Sequence, residues 1–468
     1  MADVIAEQLA ELVGADNVLA GDAISPDYQH DEALSATPVR PAYLIRPRTT
    51  DEVAGVLRLA GEHRVPVTAR GSGSGMSGAC IPRADGIVVS FERMNNVVEI
   101  DTANHVAVVQ PGVTLAELDT ATAAVGLTYP VYPGELSGSL GGNVATNAGG
   151  MRAVRYGVTR HHVLGLTAVL GTGEVIHTGG RIVKASSGYD LTQLIIGSEG
   201  TLALVTEAIL KLHPRLAHQR TVLAPFPDLD GVVTAVPQVV ASGLAPNILE
   251  YIDSFTMAAI TYTAELSLGV PDEVRDKTQA YLVVSLENTH ADRVTEDVER
   301  LGELLQGLGA IDVYVLDGPA AHKLIEAREK AFWTAKAAGA HDIVDVVVPR
   351  TAMPEFLATA RKLAEETGSG VAGCGHGGDG NVHLAVFQAD PAIRHRLLRG
   401  MFEAGIELGG AISGEHGIGR EKKPYFLELT DPSAVALMRR VKQAFDPAGI
   451  LNPDVLLGDS DDNEEARA

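Results

Sequence analysis

The stretch Gly375-His376-Gly377-Gly378-Asp379-Gly380-Asn381-Val382-His383-Leu384 sets two histidines seven positions apart, across a loop with four glycines in its first six residues. Downstream, Ser413-Gly414-Glu415-His416-Gly417-Ile418-Gly419 places a glutamate and a histidine on a second glycine turn. Two imidazoles and a carboxylate make a three-ligand metal set that leaves positions open for water or substrate. That donor set suits Zn²⁺, with Mn²⁺ or Fe²⁺ as alternatives. Two histidines at this spacing also occur in plain structural turns. The second Glu-His pair is what favours a metal.

Three more glycine segments lie upstream. "RVPVTARGSGSGMSGACIP" contains Gly73-x-Gly75-x-x-Gly78 after a strand, the literal dinucleotide fingerprint. Ala79-Cys80-Ile81-Pro82 opens no long helix, so the helix dipole that the nicotinamide fold places under a pyrophosphate is missing. What remains is a loop whose backbone N–H groups can converge on an anion. "PGELSGSLGGNVATNAGG" and "IIGSEGTLALVTEAIL" are too small and too polar for plain core elements. Gly138, Gly141 and Gly142 would let backbone approach a flat ring. Asn143, Thr146 and Asn147 offer hydrogen bonds to phosphate, ribitol or ring edges.

The elements that must position these loops change in texture near residue 220. Before it, short runs such as "AYLIRP", "GIVVSF" and "HVAVVQPG" alternate with helices at Asp51–His63 and Thr114–Val125. Both starts carry capping boxes, Thr49 with Glu52 and Thr114 with Glu117. After it, "AYLVVSLE", "IDVYVL", "DIVDVVVP" and "NVHLAVF" each precede a helix, at 292–307, 319–336, 354–367 and 391–408. The expected class is α+β: a first domain over 1–220 (core about 35–215), and an α/β substrate or cap domain over 221–457 with a mixed or antiparallel sheet. An acidic tail follows at 458–468. The prolines at 214, 225 and 227 mark the expected boundary within 213–228.

Composition narrows the function. The chain has 468 residues and is 46% hydrophobic, enough for two or three domains and an enclosed cofactor. Its 37 basic and 60 acidic residues give a formal charge of −23, which argues against nucleic acid and anionic membrane surfaces. Cys80 and Cys374 cannot make a disulfide framework or an iron–sulfur site and read as reduced, buried residues. No apolar run is long enough for a transmembrane segment, and the N-terminus lacks a signal-peptide pattern, so the cytoplasm is the expected compartment.

Taken in order, "RGSGSGMSG", "PGELSGSLGGNVATNAGG…RYG" and "GSEGTL" resemble the FAD-binding domain of the vanillyl-alcohol-oxidase and p-cresol-methylhydroxylase type. With "GHGGDGNVH" and "GEHGIG" added, residues 35–456 resemble the FAD-linked D-2-hydroxyacid dehydrogenases: glycolate oxidase flavin subunit, D-lactate dehydrogenase and D-2-hydroxyglutarate dehydrogenase. The resemblance implies a two-part FAD-binding domain plus a cap. It assigns FAD contacts to Arg70, Gly71, Ser72, Gly73, Ser74, Gly75, Met76 and Ser77. Further contacts fall to Pro133, Gly134, Gly138, Ser139, Gly141, Gly142, Asn143, Thr146, Asn147, Gly150, Tyr156 and Gly157, and to Glu199, Gly200 and Asn452. "RGSGSGMSG" offers no histidine for a covalent link, so noncovalent FAD is expected.

The same resemblance puts the metal on His376, His383 and Glu415, makes His416 the catalytic general base, and gives Arg328 to the substrate carboxylate. Arginine suits that role through its planar fork. The bland reading of Arg328 is a surface helix residue paired with Glu326 or Glu329. Asn381 either touches substrate or orients its own turn. Lys422, Lys423 and the remaining histidines read as solvated or structural, and Trp333 as core.

The expected reaction is oxidation of a D-2-hydroxy acid to the 2-oxo acid, with proton loss to a histidine and hydride transfer to flavin. Phe332, Ile343 and Ala385 are apolar where the hydroxyglutarate branch is expected to be polar or cationic. That favours a monocarboxylate such as glycolate, D-lactate or a longer apolar acid over D-2-hydroxyglutarate. An external acceptor is implied: a quinone, an electron-transfer flavoprotein, oxygen or a partner iron–sulfur subunit. A homodimer is one assembly open to the chain. The alternatives are a zinc hydrolase without FAD, and a noncatalytic flavin subunit of a larger complex.

Overall fold

The β-branched runs of the first half pair into two sheets. In the computed structural model, which describes residues 2–458, Val18–Ala20, Tyr43–Ile45, Ile87–Ser90 and Val67–Arg70 form the first, in that spatial order. Tyr43–Ile45 and Val67–Arg70 both run parallel to Ile87–Ser90, with helix Thr50–His63 as the crossover between them. The helix starts where Thr49 accepts the Glu52 N–H at 3.2 Å, and ends at Arg64 in the left-handed region. Its buried face is Val53, Val56, Leu57 and Ala60, the three- and four-residue spacing of an amphipathic helix.

The second sheet is antiparallel, in the order Val97–Asp101, Val106–Val109, Ala203–Lys211, Val163–Leu170 and Val175–Gly179. Helix Leu115–Ala123 sits beside it and opens with the full Thr114/Glu117 capping box.

The third sheet has seven strands, all antiparallel to their neighbours: Tyr314–Leu316, His218–Phe226, Ala280–Asn288, Ile248–Asp253, Gly370–Gly375, Asn381–Phe387 and Asp342–Val347. Helix Ala291–Gly307 buries Val294, Val298, Leu301 and Leu305 against it. Each such side chain contributes about 1.5–3 kcal/mol. The α+β class with mixed and antiparallel sheets is therefore what the chain adopts.

The segment expected to hold the boundary contains two strands, His213–Pro214 and His218–Phe226, with Pro225 inside the second. Two details depart from the sequence reading. The helix expected over 319–336 is two, Gly318–Glu329 and Ala331–Ala337, parted at Lys330. The end of the chain also returns to the first half: Leu451 bridges Val67, and Ile450 and Leu451 join its core. Asp446 fastens this return by accepting the N–H of Ile450 and Leu451 at 3.1 and 2.7 Å. Apart from Gly458, the acidic tail lies outside the described residues. No described helix is long and apolar enough to cross a membrane.

Candidate active site

Adjacent strands flank the first histidine motif. Asn381–Phe387 pairs Cys374 with His383 on one side and Asp345 with His383 on the other, so Asp345, from the upstream strand Asp342–Val347, joins the motif in one row. His376 follows Gly375, where that strand turns away. Glycine is required beside it: a Cβ on Gly373 would stand 1.9 Å from the His383 carbonyl oxygen, and one on Gly375 2.2 Å from that of Asn381. The turn closes at Gly380, whose φ of 77° favours glycine.

Asp345 holds the second loop against this row. Its Oδ2 accepts the Ser413 hydroxyl at 2.8 Å, the Glu415 N–H at 3.0 Å and the His416 N–H at 2.8 Å. Its Oδ1 accepts the Asn381 amide at 2.9 Å and lies 3.4 Å from His383 Nδ1. From the other side, Glu199 accepts the N–H groups of Ile418 and Gly419 at 2.8 and 2.7 Å. The loop is thus tied at both ends by buried carboxylates.

The ligand-type atoms converge. His376 Nε2 lies 2.9 Å and His383 Nε2 3.4 Å from Glu415 Oε1. Donor atoms of His376, His383 and Glu415 all fall within 4.8 Å of one another, as do those of Asp345, His383 and His416. Behind the first set, Glu250 Oε1 lies 2.6 Å from His376 Nδ1, which fixes the ring with Nε2 pointing toward Glu415. A shared proton or a divalent ion satisfies that geometry.

Charges follow from the packing. Burial opposes the charged form of His376, but Glu250 and Glu415 outweigh it and hold its pKa up to about 10. Burial likewise opposes the Glu415 carboxylate, and His376 more than compensates, down to about 2. His416 behaves differently: burial lowers it to about 4, Lys422 adding to the effect and Asp345 opposing it. Lys422, expected in solvent, is buried, and its Nζ has no hydrogen-bond partner.

Two hollows meet here. One, of about 900 Å³ with its mouth included, is lined by Arg328, His376, His383, Glu415 and His416 and by many apolar side chains. The other, of about 1330 Å³, is a slot between residues 71–77, 138–146 and 198–205. Met76, Pro133, Glu415 and His416 line both. The slot exists because its walls are small. A Cβ on Gly71 would sit 1.9 Å from Ser139 Oγ, and one on Gly141 2.6 Å from Pro111. Asn143 lines the slot, and its buried Nδ2 finds no partner within the protein. That combination fits a long, flat ligand with polar edges, as FAD is.

The expected site residues divide accordingly. Gly71 to Ser77, Pro133, Gly138, Ser139, Gly141, Gly142, Asn143, Thr146, Glu199, Gly200 and Asn452 line the slot. Six others do not. Arg70 turns away, donating to the His30 carbonyl and lying over the Tyr28 ring. Tyr156 donates to Glu287, and Asn147 accepts the Arg160 N–H. Gly150 and Gly157 serve positive-φ turns, a Cβ on Gly150 standing 1.8 Å from the Tyr132 carbonyl oxygen. Gly134 lines the first cavity instead.

Asn381 is buried, with its amide spent on Asp345 and the Val346 carbonyl, so it orients the turn and does not reach the cavity. Arg328 is no surface residue: it is buried, with Nη2 2.8 Å from Glu250 Oε2 and Nε without a hydrogen-bond partner. Trp333 is not core but partly exposed, edge-on to Phe332. Sequence reasoning missed Asp345 and Glu250. Each was visible only as a lone acid in an apolar strand, "IVDVVV" and "NILEYI".

A slot for a flat dinucleotide, sharing His416 and Glu415 with a cavity that is also lined by two further histidines and an arginine, defines a flavin-dependent oxidoreductase. Known proteins agree: residues 41–179 match the FAD binding domain family, and 215–456 the C-terminal domain of FAD linked oxidases. The chain belongs to the FAD-linked oxidoreductase family that includes D-lactate dehydrogenases and glycolate oxidase subunits. It is 63% identical to an uncharacterized FAD-linked oxidoreductase of Mycobacterium tuberculosis, over 97% of this chain and 99% of that one. A D-lactate dehydrogenase of Anaerostipes hadrus is 38% identical, over 93% and 94% of the two chains. Glycolate oxidase subunit GlcD of Bacillus subtilis is 35% identical, over 96% of each. The fold is that of p-cresol methylhydroxylase, at a TM-score of 0.78 and 17% identity over 98% and 97% of the chains.

Proposed function

We propose that this enzyme oxidises a D-2-hydroxy monocarboxylic acid to the 2-oxo acid, with noncovalent FAD and a divalent ion held by His376, His383 and Glu415. The carrying observation is that His416 lines both the slot and the cavity, beside Arg328 and the ligand cluster. A substrate there faces base, carboxylate anchor and flavin slot at once.

Bound FAD supplies the acceptor for the Cα hydride. A zinc-like ion on the His376–His383–Glu415 cluster would make a coordinated hydroxyl easier to deprotonate. Arg328, which lines the cavity, takes the substrate carboxylate through its guanidinium fork. Glu250 fixes both Arg328 and His376, so anchor and ligand move together. His416 receives the hydroxyl proton. Its Nδ1 lies 3.8 Å from Asp345 Oδ2, a carboxylate placed to stabilise the imidazolium that forms.

The reading favours monocarboxylates because Phe332, Ile343 and Ala385 line the cavity and carry no charge. His416 is the sole histidine among the described slot-lining residues, which supports noncovalent FAD. A complete set of His376, His383, Glu415 and His416 speaks against a noncatalytic subunit. The test is flavin bleaching under anaerobic conditions by a panel of D- and L-2-hydroxy acids, followed by dye-coupled turnover. His416→Gln should retain FAD and lose about 10²–10⁴-fold in turnover. Normal turnover in that variant would refute the base assignment. A flavin that no 2-hydroxy acid bleaches would refute the substrate class.

A further inference from the structure

Resting on that reading, we infer that the cavity selects 2-hydroxy acids with an apolar side chain of several carbons over glycolate, D-lactate and any acid with a second carboxylate. The strand register lays out the floor. The row Asp345, His383 and Cys374 is polar; two residues along the same face stand Ile343, Ala385 and Ala372. Phe387, opposite Gly370, follows two residues further on. At about 3.4 Å per residue, Phe387 lies roughly 14 Å from the His383 row. The floor therefore runs from a reactive end into an apolar compartment.

The facing wall keeps that compartment open. Ala331 and Ala335 of the helix Ala331–Ala337 and Ala338 at its C-cap recur at four- and three-residue spacing and line the cavity, with Ala259 contributed by the helix Ser254–Thr263. Each ends one methyl group from the backbone, where a leucine or phenylalanine would fill the space. Arg328 lines the cavity at the reactive end, joined to His376 through Glu250, and sets which way an acid enters.

Apart from Arg328 and the cluster of His376, His383, Glu415 and His416, the one charged side chain among the described cavity-lining residues is Glu329, next to Arg328 and already the acceptor of the Tyr132 hydroxyl. Along the apolar floor a second carboxylate would find no cation among the described lining residues. Methyl and methylene groups would find alanine, isoleucine and phenylalanine. At the usual strength of apolar burial, each added methylene should raise kcat/KM about fourfold until the compartment is full.

The experiment is a dye-coupled kcat/KM series on the FAD-loaded enzyme with D-lactate, D-2-hydroxybutanoate, D-2-hydroxyhexanoate, D-2-hydroxyoctanoate and D-2-hydroxyglutarate. D-2-hydroxyhexanoate should exceed D-lactate by roughly 30–60-fold, from its three extra methylenes, and D-2-hydroxyglutarate should fall below both. Ala335→Phe should reduce the hexanoate-to-lactate ratio at least tenfold. Ala338→Leu, a smaller change near the helix end, should reduce it in the same direction. A flat or declining series, or ratios unmoved in both variants, would overturn the inference while leaving the proposed reaction standing; a preference for D-2-hydroxyglutarate would overturn both the inference and the monocarboxylate part of the proposed function. Failure of every acid to reduce the flavin would overturn the proposed reaction, and this inference with it.

Discussion

Asp345→Asn is the sharpest probe of how the site is held. Asp345 is fully buried, and its two oxygens take four hydrogen bonds, from Ser413, Glu415, His416 and Asn381. Asparagine has the same shape but only one acceptor. Whichever way its amide turns, an N–H group meets a donor: Asn381 on one side, or the Ser413, Glu415 and His416 cluster on the other. The milder orientation keeps three bonds but removes their charge assistance, about 1 kcal/mol each, and leaves one buried donor unsatisfied for about 1–3 kcal/mol more. The sum is about 4–6 kcal/mol before relaxation. Reorientation of Asn381 recovers part of it, at the expense of its bond to Val346.

A loss of about 3–5 kcal/mol should lower Tm by roughly 6–20 °C, at about 2–4 °C per kcal/mol. The 413–419 loop carries Glu415 and His416, so a slip of about 1 Å should also reduce kcat/KM about 10²-fold. Calorimetry, flavin absorbance and dye-coupled kinetics on one preparation separate these effects. Ser413→Ala is the milder comparison: it removes the hydroxyl's bond to Asp345 and the one it accepts from the Gly417 N–H, for about 1–3 kcal/mol together, and leaves the two backbone bonds to Asp345 in place. If Asp345→Asn kept kcat/KM within about threefold and Tm within about 2 °C, the reasoning from this hub would be refuted.

Dialysis against a strong chelator should abolish most turnover without releasing FAD, and added Zn²⁺ or Mn²⁺ should restore it; full activity in a preparation shown by elemental analysis to be metal-free would defeat the ligand assignment. Gly373→Ala should yield little soluble protein, because its Cβ would fall 1.9 Å from the His383 carbonyl oxygen and force paired strands apart; normal expression and activity would contradict this. His162 is buried, and its pKa is lowered to about 4, chiefly by burial. Its folded pKa lies below its unfolded one, so its stability contribution is complete above about pH 6.5 and is lost as pH falls toward 4, by up to about 3 kcal/mol. His162→Gln should flatten Tm against pH across that window, and an unchanged slope would refute the assignment.

What the sequence disclosed follows from which contacts are local. Glycine loops that let backbone approach a ligand must spell themselves out in consecutive residues, so the slot was readable from 71–77 and 138–146 almost residue by residue. The two caps, Thr49 and Thr114, act within four residues and were equally legible. Arg70 misled because it stands next to that loop but on a strand, where alternate side chains face opposite ways. Asp345 and Glu250 were silent for a different reason. Each acts on groups about 30 to 130 residues away, through pairings such as Asp345 with His383 and Tyr251 with Gly375 that only the folded sheet creates.

The break at Lys330 shows why the cavity, unlike the slot, could not be read. A single continuous helix over 318–337 satisfies every local propensity, and nothing in "EAREKAFWTAK" forbids it. The fold divides it instead, so that Arg328 in the last turn of the first piece is buried beside Glu250, while Phe332 and Ala335 of the second line the apolar wall. On the proposed reading, one segment thereby supplies both the anchor for a carboxylate and the space for the rest of the acid. Chemistry that depends on the angle between two short helices has no signature in either of them. It follows that substrate choice in this enzyme should respond to substitutions along Ala331–Ala337 far more than to changes in the glycine motifs that announce its cofactor.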